Sequence, residues 1–559
     1  MSSNDYSDFV IVGGVAAGPK TAATLARRLP RASITLFQKE KHLSYASCGL
    51  PYFASGDISS FDELTRMPWG TVRNEDFFRM VKGFCAITGA EVTAIDRGRK
   101  VVTVQQEDKP SAVEHGYGKL VLATGARPAP PAFPVEFGPR VQSFTRPENA
   151  IEFRRLAETG QVGSAAVIGG GYIGCEMAEA LGGLWGINTA VLEKEQHVLP
   201  ATLDPEMAVL VERELKKQDI DLRTGVCVEK ITSREDGATV YLSGGETLEV
   251  DFVIVCTGVA AEVTLARACG LTLGVTGAIA VDEHFRTSDP DIFAGGDCVE
   301  LTQRITGEKV HVPLGSLANR HGWVIAENLA GNEIAYPGVL GSYLVKVFDV
   351  NLGGVGLNWA VAQRFAPKPA AVWGTFVDRP DYYPESKTIT LKMIFDQQNG
   401  RLLGLQGVGG GEIARRIDVF SVFLRNDATI DDLLGFEPGY APPFSEAVDP
   451  LHHLAGMARA TSRGVVFINP GEFGQLSSAG VLWLDVREPV EQEELPFDLP
   501  EVVRIPLDRL RAEASDLPRD RKIVIICQRG SRAYQAAVFL KDAGFDDVVI
   551  LSGGRAALG

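Results

Sequence analysis

No two of the eight cysteines (48, 85, 175, 227, 256, 269, 298 and 527) stand close enough in the chain to form a CxxC dithiol or a metal-ligand pair. That spacing excludes a local zinc cluster and a disulfide framework, and it fits a reducing compartment. Positive charge is short as well: 55 Lys and Arg against 71 Asp and Glu leave a net charge of −16. Such a deficit argues against nucleic acid or an anionic membrane surface as the main partner. No apolar run reaches the length of a membrane span. The chain enters its first strand by Phe9-Val10-Ile11-Val12, too early for the charged and apolar regions of a signal peptide. The expectation is a cytoplasmic protein with reduced thiols that binds neither membrane nor nucleic acid.

What the chain has in place of these features is a glycine-rich turn used twice. Residues 9 to 38 read as strand, turn, helix and strand, with Gly13-Gly14-Val15-Ala16-Ala17-Gly18 at the turn. Residues 165 to 193 repeat the pattern around Gly169-Gly170-Gly171-Tyr172-Ile173-Gly174. Such a turn brings backbone N–H groups close to a pyrophosphate, whose charge the helix N-terminus favours. The second copy has all three glycines of GxGxxG, at Gly169, Gly171 and Gly174. Glu193 ends its second strand, where a carboxylate accepts from ribose hydroxyls and repels a 2′-phosphate. That favours NADH over NADPH, with Lys194 pulling the other way. The first copy has Val15 at the middle position, and Gln38 stands at the end of its second strand, followed by Lys39. Gln38 can still hydrogen-bond a ribose. Thr124-Gly125 and Thr257-Gly258 follow apolar strands, as crossings between two such domains do, and Asp297 ends another strand.

Two lone cysteines occupy loop settings. Cys48 lies in Ser44-Tyr45-Ala46-Ser47-Cys48-Gly49-Leu50-Pro51-Tyr52, and Cys527 opens Cys527-Gln528-Arg529-Gly530-Ser531-Arg532 after the strand Ile523–Ile526. A thiolate at a helix N-terminus is stabilised by the dipole, so Cys48 is expected to have a lowered pKa. The Cys-x-x-Gly-x-Arg loop curls successive N–H groups toward the sulfur as an anion nest, to which Arg532 adds charge.

Through these motifs, residues 1 to about 455 resemble the flavin-dependent pyridine nucleotide-disulfide oxidoreductases, and residues from about 465 to 559 resemble a rhodanese domain. The resemblance implies an α/β chain with tandem Rossmann-like domains, an α+β dimerisation domain and a C-terminal α/β rhodanese domain. The expected bounds are 1–150 with 265–334 for FAD and 151–264 for NAD(P)H. The dimerisation domain is expected at 335–455, a linker at 456–464 and the rhodanese-like domain at 465–559. FAD would be held by Gly13, Gly14, Ala17, Gly18, Gln38, Lys39, Thr124, Gly125 and Asp297. NADH (or NADPH) would be held by Gly169, Gly171, Tyr172, Gly174, Glu176, Glu193 and Gly258. By the family pattern Asp297 bonds the ribityl chain, Tyr172 gates the nicotinamide pocket and Glu176 lies near the nicotinamide.

The run around Cys48 resembles the single-cysteine branch: coenzyme A-disulfide reductases, persulfide reductases, and NADH oxidases or peroxidases. Oxidase and peroxidase members carry a histidine within the first glycine turn, where this chain has Ala16. Coenzyme A-disulfide reductases bring two tyrosines from the partner subunit, matched here by Tyr440 and by Tyr382 or its neighbour Tyr383. A phenol near a departing thiolate can donate a proton. Ser44 matches a coenzyme A-contacting serine, Ser47 replaces an asparagine, and Arg27 and Arg28 are candidates for the phosphates of that substrate or bound ligand. The expected protein is a homodimeric, FAD-dependent NADH reductase of coenzyme A persulfide, polysulfide or coenzyme A disulfide. Its catalytic set would be Cys48, Tyr382, Tyr440, Cys527 and Arg532, with Cys527 delivering sulfane sulfur and no metal. The rivals are an NADH oxidase cycling through a Cys48 sulfenic acid, and a sulfur-trafficking carrier whose flavin module senses redox state.

Overall fold

A computed structural model describes residues 6–107, 109–477, 480–497, 499 and 501–558. The chain divides into two compact units, one of residues 1–194 and 220–339, the other of residues 195–219 and 340–559.

The first unit holds two sheets that begin in the same way. Strand Tyr6–Val12 lies between Ile34–Phe37 and Val113–Leu122, parallel to both, and Ile292–Ala294 adds in parallel beyond Val113–Leu122. Strands Val101–Gln106 and Ala90–Asp96 extend this sheet in antiparallel fashion. The second sheet is parallel throughout, in the order Asp221–Thr224, Asn188–Glu193, Ser164–Ile168, Phe252–Val255, Val141–Ser143. Strand Phe252–Val255 is buried along its whole length, as expected for a parallel strand covered on both faces. Two short antiparallel strands, Ala126–Pro128 and Val259–Ala261, form the crossing that the Thr-Gly pairs predict. Gly125 and Gly258 turn the chain into it at φ of 73° and 103°, a region open to glycine.

The second unit carries a five-stranded antiparallel sheet and a five-stranded parallel one. The first runs Tyr343–Val347, Val350–Gly356, Leu402–Gly409, Thr388–Asp396, Pro369–Val377. Helices Ala414–Arg425 and Pro450–Thr461 pack on it. The second of these occupies much of 456–464, the stretch expected as a linker. In the parallel sheet the order is Val466–Ile468, Val548–Leu551, Ile523–Ile526, Leu482–Asp485, Val502–Arg504. Its strands alternate between two cores: Leu484, Ile523 and Ile525 pack on one face, Trp483, Val524 and Ile526 on the other.

A buried charge cluster ties strand Thr388–Asp396 to helix Pro205–Lys217. Lys392 Nζ lies 2.6 Å from Asp204 and 2.5 Å from Glu206, and their side chains are 3%, 5% and 9% exposed. Asp204 also accepts from the Trp359 N–H and from Gln406 Nε2. Removing one member of such a cluster leaves an uncompensated buried charge, which costs roughly 3–5 kcal/mol. Lys392→Met should therefore lower the unfolding temperature by several degrees in calorimetry; an unchanged transition would show that the cluster carries little stability.

Candidate active sites

Both glycine turns are set by backbone crowding. A Cβ on Gly13 would stand 2.0 Å from the Ala123 carbonyl oxygen, and one on Gly18 would stand 1.9 Å from that of Gly13. In the second turn Gly169 would meet Cys256 O at 2.5 Å and Gly174 would meet Gly169 O at 1.9 Å, whereas Gly171 faces open space. Gly171 thus leaves clear the ground before helix Tyr172–Glu179, where a phosphate could approach the helix N-terminus. The residues fit a dinucleotide at both turns.

Gln38 and Glu193 hold equivalent places. Gln38 Oε1 accepts from the Gly14 N–H at 2.6 Å, and Glu193 Oε2 accepts from the Gly170 N–H at 2.7 Å. Lys39 pairs with Glu91 at the surface. Thr124 Oγ1 donates to Glu262 O at 2.6 Å, joining the two crossing segments. Burial pushes the Asp297 carboxyl up, with His311 pulling it down. His311 Nε2 lies 2.7 Å from the Asp297 carbonyl oxygen.

Cys48 hangs from the first turn. Ser44, at φ 48°, donates its N–H to Gly14 O at 2.8 Å, so the segment after it starts against the glycine loop. Cys48 then lies in the single turn Ser47–Gly49 before helix Leu50–Ser55. A Cβ on Gly315, at the start of helix Gly315–Leu329, would come within 3.5 Å of Cys48 Sγ. The expected lowering of the thiol pKa is reversed. Cys48 keeps solvent access, but the protein packed around it desolvates the thiol and pushes its pKa up. The Glu176 carboxylate adds to that, Ser47 offsets it by a hydrogen bond, and Asp297 raises it further. Burial, with the two nearby carboxyls behind it, prevails over the six-residue helix Leu50–Ser55.

Glu176 is itself pushed up to about 7, first by burial and then by Glu179, with a hydrogen bond from Tyr52 opposing. Tyr52 rises to about 12 through burial and the same two glutamates. The structure therefore gathers Cys48, Ser47, Tyr52, Glu176 and Asp297 around one sulfur. His311 and Gly315 went unnoticed in the sequence, and Tyr52, quoted in the Cys48 run one helical turn beyond the cysteine, was given no role. Arg27 bonds Thr24, while Arg28 is paired at 2.7 Å with the buried Glu327.

In the second unit Tyr382 and Tyr440 are both exposed, and the neighbouring Tyr440 pushes the Tyr382 phenol up. Tyr383 turns instead toward the Arg379 guanidinium.

Cys527 is 1% exposed at the end of its strand. The Gly530 N–H, at φ 106°, donates to Cys527 Sγ at 3.0 Å, and Gly554 packs close to the Cys527 carbonyl. Arg532 makes two 2.6 Å bonds to Glu491, whose carboxyl it holds down, while staying within electrostatic reach of Cys527. Asp485 and Arg487 form a fully buried pair nearby in the chain fold.

Residues 7–320 match the model of the pyridine nucleotide-disulphide oxidoreductase family, residues 343–452 that family's dimerisation domain, and residues 469–558 a rhodanese-like domain. The NAD-dependent persulfide reductase of A. fulgidus superposes with a TM-score of 0.94 at 39% identity, covering 99% of this chain and 100% of that one. The reduced CoADR-RHD of Bacillus anthracis gives 0.92 at 31%, covering 99% and 98%. Among sequences, the NAD(P)H sulfur oxidoreductase (CoA-dependent) of Pyrococcus abyssi is 35% identical over 446 residues, which is 80% of this chain and 97% of that one.

Glu176 and Cys48 repel each other only when both are ionised. Glu176→Gln should therefore lower the apparent thiol pKa and speed alkylation of Cys48 by iodoacetamide roughly threefold at pH 8. A rate that is unchanged or slower would show that the carboxylate does not oppose the thiolate.

Proposed function

The chain belongs to the pyridine nucleotide-disulphide oxidoreductase family, and on that premise we propose that it is a homodimeric, FAD-dependent NADH reductase of sulfane sulfur or of coenzyme A disulfide. The observation that carries this reading is the set around Cys48: one free thiol, a Ser47 donor and a titratable Glu176, with no second cysteine bonded to it. NADH would lie on the second glycine turn, and FAD on the first would supply two-electron transfer between NADH and sulfur.

The Cys48 thiolate attacks the outer sulfur of a persulfide or one sulfur of a disulfide. A new S–S bond forms at Cys48, the old S–S bond breaks, and the leaving thiolate takes a proton. Tyr382 and Tyr440, close enough that Tyr440 raises the Tyr382 pKa, would give that proton from the partner subunit. Glu176 near neutrality can accept a proton as the thiolate is regenerated and release it afterward. Cys527, held by the Gly530 N–H, would take up sulfane sulfur and deliver it to Cys48. Ala16, where oxidase members have histidine, leaves peroxide chemistry without that acid or base.

The test is anaerobic NADH oxidation with coenzyme A persulfide, polysulfide and coenzyme A disulfide. Cys48→Ser should abolish all three activities. Cys527→Ser should spare disulfide reduction and slow persulfide turnover by roughly tenfold. Equal loss on both substrates would sink the relay, and activity that needs oxygen would favour the oxidase.

A further inference from the structure

A helix of six residues is too short to hold its place alone, so helix Leu50–Ser55, and Cys48 just before it, stand where other segments fix them. The near end is tied to the first glycine turn by the Ser44 N–H on Gly14 O, and the Ala46 N–H donates to Leu64 O at 3.0 Å. Two side chains from elsewhere in the same unit hold the far end. Trp185 Nε1 donates to Ala54 O at 2.7 Å. Arg154, on helix Pro147–Glu158, serves Phe53 O at 3.1 Å and Ile58 O at 2.6 Å through one nitrogen, Nη1. Its guanidinium lies 4.7 Å from the centre of the Phe53 ring, and its Nε donates to Glu158 at 2.8 Å, which fixes its direction. The last carbonyls of a helix have no partner further along it. These donors meet them just where the chain turns away at Gly56, with φ 97°.

Trp185 also ends a run that begins at the second glycine turn. Helix Tyr172–Glu179 carries Glu176 and passes directly into the wide turn Ala180–Leu184, with Trp185 next in the chain. Wide turns of this kind inside helices concentrate at functional sites. One run therefore acts on the Cys48 segment twice: Glu176 through its charge on Cys48 and Tyr52, and Trp185 through its bond to Ala54.

We propose that Arg154 and Trp185 are positioning residues for Cys48, clamping the far end of its helix so that the thiol stays packed beside Glu176. Neither reaches the sulfur itself. The proposal rests on the reading of Cys48 as the reacting thiol, and it names what sets that thiol's surroundings. With the clamp in place, burial and then the Glu176 carboxylate push the Cys48 thiol up. With one donor removed the helix end is released, water reaches the sulfur and the carboxylate stands further off, so the thiol ionises at lower pH.

The test uses the full-length, FAD-loaded protein with Cys48 reduced beforehand. Alkylation by iodoacetamide is followed over a range of pH, and the Cys48 peptide is quantified by mass spectrometry. Trp185→Phe keeps an aromatic ring and loses the indole N–H. It should lower the midpoint of the profile, so that alkylation at pH 8 runs roughly threefold faster. Glu176→Gln, which speeds the native protein, should add nothing in the Trp185→Phe background. Arg154→Met should act as Trp185→Phe does, and Arg154→Lys, which keeps a donor, should fall between it and the native protein. Side chains that served stability alone would lower the unfolding temperature and leave the midpoint in place. A folded Trp185→Phe protein with the native midpoint overturns the proposal, as does a gain from Glu176→Gln that persists beside Trp185→Phe or is absent from the native background. If Trp185→Phe does not fold, the two Arg154 variants decide by the same readout. Alkylation needs neither NADH nor turnover, so these outcomes are independent of whether the protein reduces sulfur.

Discussion

Everything at the Cys48 centre depends on how closely backbone passes backbone at the two glycine turns. At Gly13, Gly18, Gly169 and Gly174 a single added carbon would come within 2.5 Å of a carbonyl oxygen, a distance no side chain can accept. That closeness joins each first strand to its helix and leaves backbone N–H groups at the helix start. The same turn then supports the Cys48 segment, because Gly14 O accepts the Ser44 N–H and Cys48 follows four residues later.

The electrostatics around Cys48 favour control over high reactivity. A thiol at a helix start is expected to ionise readily, yet here desolvation and Glu176 resist the thiolate. Glu176 in turn sits near neutrality because it too is buried beside Glu179. Glu176 ionises first, and its charge then helps keep the proton on Cys48. Such a pair suits a cysteine that must alternate between nucleophile and sulfur-bonded form. The Cys527 loop uses a different device: a backbone N–H at the sulfur and an arginine whose charge is already met by Glu491.

Much of this was legible in the sequence because its signals are local. The Gly-rich turns, the strand before Cys527 and the apolar runs of the parallel sheets follow from backbone sterics and period, and the strands before both turns and before Cys527 end where expected. The stretch 456–464 read as a linker because its helix, Pro450–Thr461, has a short apolar face that only packing on the sheet reveals. Contacts between distant segments stayed hidden: Gly315 against Cys48, Arg28 with Glu327, and Arg529 with Asp381. The thiol pKa was misjudged for the same reason, since the burial that raises it, and then Glu176 and Asp297, come from segments remote in sequence from Cys48.

The central claim is that Cys48 performs the reductive sulfur chemistry without a second protein thiol. Mixing the oxidised, FAD-loaded protein with one equivalent of coenzyme A disulfide and no NADH, then mapping the cysteine peptides by mass spectrometry, tests it most directly. The account predicts a coenzyme A adduct on Cys48 with every other cysteine free. A disulfide joining Cys48 to another cysteine of the protein would contradict it.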